Sequence, residues 1–335
     1  MSAAARLLPA LLLLACSASA CGGGGEVTAG RWILLDTRTD QADVARARQN
    51  AEDALIRHPG LDGMVGLWSY NTPAILGALR DAGRLGEIQV VAFDEEEETL
   101  QGIADGYVHG TVVQQPYEFG YQSVRILSAV VRGEDPGIPE DGIVDVPVRV
   151  LRKADVPAFR ELLDSLRAEA GAAEPRPEGP ETVHLAFITN NTSSFWSLAR
   201  AGVRKAEADF DARVEFLMPP QGTADDQQRM VEAVLARGVQ GIAISPNDPA
   251  HQKDLLNRIA ARVPLICHDS DAPDTERLCF VGTNNVQAGR EAGRLIQEAL
   301  PEGGEIMLFV GRLDARNALE RRQGILEQLA GAPEG

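Results

Sequence analysis

Residues 184–198, HLAFITNNTSSFWSL, carry the pattern from which the rest of the chain can be read. Leu185, Ala186, Phe187 and Ile188 form a short apolar run bounded by turn formers, the length of a buried parallel strand. Helical spacing begins after Ser194. Strand, polar turn and helix make one βα unit, and in open α/β sheets ligands bind beyond the carboxyl ends of the strands, where Thr189 to Trp196 fall.

The same grammar recurs on both sides of this stretch. WILL runs into Asp36, MVGL into Ser69-Tyr70-Asn71, VVAF into Asp94, TVV into Gln114, AIS into Pro246-Asn247, LICH into Asp269 and FVG into Thr283-Asn284. Polar residues therefore collect at strand ends throughout. The chain has 335 residues, 44% apolar and 24% charged, enough for two globular lobes. A net charge of -17 repels phosphate backbones, and there is no basic stripe, so nucleic acid is not an expected partner.

At the N-terminus Arg6 precedes an apolar segment over 7–15 and the small residues Ser17-Ala18-Ser19-Ala20 ahead of Cys21. The segment is too short to span a membrane and reads as a signal, residues 1–20. Ala18-Ser19-Ala20-Cys21 followed by four glycines resembles a bacterial lipoprotein signal, which would make Cys21 the lipidated first residue and 21–30 a flexible tether. Leu14-Ala15-Cys16 is a competing cut, and an ordinary secretory signal is the plainer alternative. Cys267 and Cys279 remain after processing; they are either a disulfide between neighbouring strands or two buried thiols.

From 31 to 151 strands and helices alternate, with strands at 32–35, 64–67, 89–93, 111–113 and 144–151 and helices at 44–56, 73–82, 99–104 and 120–131. Such alternation predicts parallel βαβ units. Thr72 is placed as an N-cap ahead of Pro73. Glu95 to Glu98 open a helix, where the dipole favours carboxylates, a better account than a metal site. After a helix over about 156–168, an Ala, Glu, Gly and Pro-rich stretch reads as a linker, 166–182.

The pattern that follows is a second copy. Leu61-Asp62-Gly63-Met64, Asn71-Thr72-Pro73-Ala74 and Phe93-Asp94 match Val239-Gln240-Gly241-Ile242, Asn247-Asp248-Pro249-Ala250 and His268-Asp269. Gln114-Gln115, Gly120 and Arg125 likewise match Thr283-Asn284, Gly289 and Arg294. The expected fold is α/β, two doubly wound parallel-sheet lobes with a hinge and a ligand cleft between them.

These motifs together resemble the ribose-type, sugar-binding family of type 1 periplasmic binding proteins, with the two halves in circularly permuted order. The resemblance makes 183–335 the family's N-terminal half (lobe 1, with 312–335 in lobe 2). Residues 31–165 become its C-terminal half (mostly lobe 2, with helix 117–132 in lobe 1). Carried over residue by residue, it implies ligand contacts from Thr189, Phe195, Trp196 and Asp269, from Asn71, Asp94 and Gln114, and from Arg316 and Asn317. A sugar offers C–H faces to aromatic rings and hydroxyls to planar polar groups, and this set supplies both. Phe195 and Trp196 as helix-start core residues, and Asn71 and Asp94 as turn formers, are the plainer alternatives. Ser270 follows Asp269 where ribose binders carry arginine, and the arginine before Gly324-Ile325 is displaced.

The function so implied is a lipid-anchored, periplasmic or cell-surface substrate-binding lipoprotein of an ABC-type sugar importer. It would be a monomer that captures a monosaccharide and meets a membrane permease, with no catalytic step, cofactor or metal. A ligand sensor for a membrane receptor shares the pocket. A glycoside hydrolase would need Asp94 and Asp269 as its carboxylate pair.

Overall fold

The computed structural model describes residues 26–172, 179 and 181–331. The signal segment with Cys16 and Cys21, residues 22–25 of the glycine tether and residues 173–178 and 180 of the linker lie outside these residues.

Lobe 2 begins with β1 (Val27–Ala29), β2 (Trp32–Thr39), α1 (Val44–Arg57), β3 (Gly63–Gly66), α2 (Asn71–Asp81), β4 (Gln89–Phe93), α3 (Glu97–Asp105) and β5 (Gly110–Val113). The chain crosses into lobe 1 for α4 (Pro116–Arg132) and β6 (Ile143–Asp145), then returns for β7 (Arg149–Leu151) and α5 (Val156–Ala172). Lobe 1 continues with β8 (Val183–Ile188), α6 (Phe195–Asp209), β9 (Ala212–Leu217), α7 (Ala224–Ala236), β10 (Gly241–Ile244), α8 (Lys253–Ala260), β11 (Leu265–His268) and β12 (Cys279–Gly282). A last crossing adds α9 (Asn285–Ala299), β13 (Gly304–Val310) and α10 (Arg316–Leu329) to lobe 2.

The lobe 2 sheet has the order β1-β2-β13-β3-β4-β5-β7, parallel except for its antiparallel edges β1 and β7. The lobe 1 sheet, β6-β12-β11-β10-β8-β9, is parallel throughout. Each has apolar side chains on both faces, as a helix-covered parallel sheet requires.

The crossings correct the sequence reading. The single strand expected over 144–151 is two, β6 in lobe 1 and β7 in lobe 2, because Pro147 between them has no N–H to carry a ladder onward. The return to lobe 2 comes at Thr283-Asn284 rather than near 312, so α9 covers β4 and β5 and β13 lies between β2 and β3. Three connections thus lie side by side, tied by Val146 N–H to the Gly282 carbonyl (2.8 Å), Thr283 Oγ1 to the Val146 carbonyl (3.2 Å) and Gln115 Nε2 to the Pro147 carbonyl (2.7 Å). They form the hinge.

Two local expectations also shift. α2 starts at Asn71, so Thr72 lies inside its first turn rather than capping it. α5 runs on to Ala172, into the stretch read as linker. Cys267 and Cys279 are free thiols: β11 and β12 pair Ile266 with Cys279, which leaves Cys267 on the opposite face of the sheet. The disulfide alternative falls, and burial pushes the two thiols up to about 12 and about 11.

In each lobe the crossover helix packs on its neighbour through reciprocal glycines. A Cβ on Gly120 of α4 would lie 2.2 Å from the Ala199 carbonyl of α6, and one on Gly202 of α6 would lie 1.9 Å from the Tyr117 carbonyl of α4. In lobe 2, Gly289 of α9 and Gly324 of α10 meet the carbonyls of Arg321 and Val286 in the same way, at 2.2 and 2.0 Å. Only glycine permits this approach.

Candidate functional site

The site grows from two strand ends. Asp94 directly follows β4 and Asp269 directly follows β11, and both aspartates turn left-handed, with φ 65° and 59°. Each backbone N–H still reaches the neighbouring strand, Asp94 to the Val112 carbonyl (2.9 Å) and Asp269 to the Val281 carbonyl (3.2 Å). The kink turns each carboxylate off its sheet and into the cleft. Left-handed backbone in non-glycine residues is uncommon and clusters at functional sites.

The aspartates face a recess of about 420 Å³, counting its opening, which takes residues from both lobes. Gln114 Nε2 donates to Asp94 Oδ1 (3.0 Å); Ser245 Oγ and Asn190 Nδ2 donate to Asp269 Oδ2 (3.0 and 3.2 Å). Between them lies Arg321, only 1% exposed. Its Nη1 donates to the Leu67 carbonyl (2.7 Å), its Nε to Asn285 Oδ1 (3.0 Å), and its guanidinium sits 4.7 Å over the Phe93 ring.

Burial dominates the electrostatics. It raises the Asp94 carboxyl, against the pull of Arg321 and Gln114, and brings Asp269 up to about 6, against Arg321 and Ser245 and helped by the charge of Asp94. Burial lowers Arg321, which the two aspartates oppose. One buried guanidinium thus acts by its charge on two carboxylates from opposite lobes, while its hydrogen bonds go to Leu67 and Asn285.

Of the nine ligand residues expected from sequence, Phe195, Trp196, Asp269, Asp94, Gln114 and Asn317 line this recess. The other three do not. Thr189 turns its hydroxyl to the Asn191 carbonyl (2.7 Å). Asn71 is fully buried within lobe 2, accepting from Trp68 N–H (3.0 Å) and donating to Asp40 Oδ2 (2.9 Å). Asp40 also accepts from Tyr70 (2.6 Å), and burial raises it to about 6. Arg316 pairs with Glu320 at 2.6 Å and lines a neighbouring recess.

Trp196 is 1% exposed and packs edge-on against Phe187, Phe195 and His268, so only its rim reaches the cleft. The plainer alternative, a helix-start core residue, describes most of its surface.

Sequence reasoning missed Trp68, Asn190 and Arg321. Arg321 is the displaced arginine before Gly324-Ile325, and Trp68 stands three residues before Asn71. Together with Gln114 and Asn317 they hold buried polar atoms without a protein partner: Trp68 Nε1 and Arg321 Nη2 as donors, and Gln114 Oε1, Asn190 Oδ1 and Asn317 Oδ1 as acceptors. Buried polar groups are nearly always paired, so such a concentration marks atoms directed at a ligand. Donors and acceptors alternating around an aromatic rim suit a small, neutral, polyhydroxylated molecule. On the α5 side of the cleft, the Ser194 hydroxyl of lobe 1 donates to the Glu96 carboxylate of lobe 2.

Known proteins share parts of this chain. The ribose import binding protein of Escherichia coli (strain K12) is 26% identical over 153 residues, 45% of this chain and 50% of that protein. The D-ribose/D-allose-binding protein of Pseudomonas aeruginosa is 22% identical over 118 residues, 35% and 37%. The chain therefore spans half or less of the length of these curated relatives. Among solved structures, an ABC transporter solute-binding protein from Burkholderia graminis in complex with D-arabinose is 28% identical, covering 47% of this chain and 55% of its own, with TM-score 0.44. A periplasmic sugar-binding protein from Pseudomonas fluorescens covers 88% and 80% at 14% identity, with TM-score 0.49. Scores this low lend the fold no weight. The family of periplasmic binding protein domains, in contrast, matches residues 22–135 and 185–335, both sides of the linker and hence both lobes with their facing aspartates. Most of the two α/β sheets, the connections after β5 and β12 and the facing strand ends lie within that match, and the chain belongs to the periplasmic binding protein domain family.

Proposed function

We propose that the protein captures a monosaccharide by closing its two lobes and presents it to the permease of an ABC-type importer, without chemistry of its own. The observation that carries this reading is the buried triad of Asp94, Arg321 and Asp269, drawn from opposite lobes and ringed by unpartnered donors and acceptors. A sugar hydroxyl donates to a carboxylate and accepts from a guanidinium at once, so a ring of hydroxyls satisfies both lobes together. A ligand shifts an open–closed balance only through interactions that the closed state alone offers it, and here neither lobe supplies a full set. The ribose-binding names of the relatives support a sugar as the ligand class.

Thermal unfolding against a panel of pentoses and hexoses tests the reading. The right sugar raises the midpoint with concentration, because it binds only the folded state. A flat response across the panel would reject monosaccharide capture.

Lipid anchoring through Cys21 belongs to the same proposal, resting on the Ala18-Ser19-Ala20-Cys21 motif. Cys21→Ser should move the protein from the membrane to the soluble fraction; release by Cys16→Ser alone would assign the anchor to Cys16. The swapped order of the halves is supported by the approach of the last helix to the first strands, where a Cβ on Gly30 would lie 2.8 Å from the Leu329 carbonyl. Joining those ends and opening the linker should yield a protein that folds and binds alike; failure to fold would count against a permuted architecture.

A further inference from the structure

Outside the triad recess the cleft widens into a second chamber of about 1090 Å³, counting its opening to solvent, on the flank away from α5. Trp68, Asn190 and Asn317 line both spaces, so the two are continuous. The outer walls bring Pro219, Pro220 and Gln221 from the loop after β9, and Asn247 from the loop after β10, against Arg312 of lobe 2.

Asn247 is the most informative of these. In the sequence copies it occupies the place of Asn71, but the two side chains have parted. Both ends of the Asn71 amide are consumed inside lobe 2. Asn247 Nδ2 is buried at the chamber wall with no protein partner. Its loop is firmly held, because Gln227 Oε1 accepts from Asn247 N–H (3.1 Å) and from Gln252 Nε2 (2.9 Å), while Gln227 Nε2 donates to the carbonyls of Thr189 (2.8 Å) and Ser245 (2.7 Å). A buried network with no net charge fixes a donor that nothing in the protein uses.

We infer that the outer chamber is a second sugar subsite, so that the monosaccharide held at the triad can be the end unit of a disaccharide or a comparable glycoside, with its next ring beside Asn247. This rests on the sugar-binding reading above. The shared wall has the polarity of a passage between rings, the Trp68 indole for C–H surface and unpartnered acceptors on Asn190 and Asn317 for hydroxyls, and Pro219 and Pro220 add apolar surface farther out.

Titration calorimetry with matched probes tests this: xylose with xylobiose, glucose with cellobiose and with maltose, galactose with lactose. At least one disaccharide should bind ten times or more tighter than its component monosaccharides. Asn247→Ala should remove most of that gain and leave monosaccharide affinity within twofold. Gln221→Ala, on the other loop, should act in the same direction and keeps the test open if Asn247→Ala unfolds. A monosaccharide that binds while no disaccharide binds more tightly overturns the second subsite, as does an equal loss for both ligands in either variant. If neither class binds, sugar capture itself is wrong and the subsite falls with it.

Discussion

Asp94 and Asp269 occupy equivalent places in the two lobes, and their backbones are nearly the same: a parallel strand, a left-handed turn, an N–H returned to the next strand. Their surroundings differ. Asp94 has one side-chain donor, Gln114 at the hinge, and shares its lobe with Arg321; Asp269 has two donors from its own lobe and meets the cation only across the cleft. A duplicated architecture repeats where a carboxylate is placed. What that carboxylate does is decided by neighbours that the duplication does not hold constant.

Arg321 should be the largest break in this near-symmetry. Arg321→Met strands the Leu67 carbonyl and Asn285 Oδ1, two bonds to a charged donor worth about 1.5 to 3 kcal/mol each, and takes from two buried carboxyls the nearby charge that offsets their burial. The loss should shrink as pH falls and the aspartates take up protons. Denaturant unfolding at two pH values measures it, and a loss independent of pH would mean that Arg321 acts through packing and its bond to Leu67. Affinity for the sugar found by the panel should fall more than a hundredfold.

Trp196→Ala comes next. With so little of the side chain at the cleft, the substitution should read as a cavity in the lobe 1 core, about 3 to 5 kcal/mol in unfolding, rather than as a lost stacking face. Full stability with weakened binding would return the ring to the ligand. Asp94→Ala and Asp269→Ala compare the lobes directly. Each should weaken binding by about 1 to 3 kcal/mol, since each leaves a ligand hydroxyl unpaired. Calorimetry that found one of them silent would mean that a single lobe reads the sugar.

Asn71→Ala, in contrast with its copy Asn247, should cost stability, about 1 to 3 kcal/mol, by stranding Asp40 and the Trp68 N–H. The smallest effect is that of pH. The folded value of Asp269 lies near 6, above its ordinary 3.8, so its contribution to stability is full below about 3.8 and is lost as pH rises through about 6. Binding should have the opposite slope, because ligand hydroxyls donate to the ionised form: affinity weakens as pH drops below about 6, and Asp269→Asn flattens the profile. A wild-type profile flat from pH 5 to 8 would remove Asp269 from the contacts.

The lobes and the facing aspartates were legible because they rest on repeated apolar runs, turn residues and strand-end polarity, all local signals. The return crossing was legible as well, though unread. The matches of Gly120 to Gly289 and Arg125 to Arg294 made α9 the copy of α4, and a helix that changes lobes implies a copy that changes back. Arg321 and Asn190 were harder. Nothing in the spacing of α10 tells which of its arginines is turned inward; that depends on the close approach of α9 and on the carbonyl of Leu67, 254 residues away. Asn71 failed for the same reason in reverse: its partner Asp40 lies 31 residues upstream in another unit.

The reciprocal glycines have a mechanical consequence. α4 and α9 both begin at the hinge, and each is seated backbone to backbone on the helix that carries cleft residues, Phe195 and Trp196 on α6, Asn317 and Arg321 on α10. Helices seated so closely cannot slide past one another, so each pair turns as one lever with its fulcrum at the crossings. On the closure proposed above, a rotation there would be carried to the guanidinium at one end and the aromatic rim at the other. The opening angle and the spacing of the cleft's polar atoms would then be one variable, and a ligand that fits that spacing would hold the lever still.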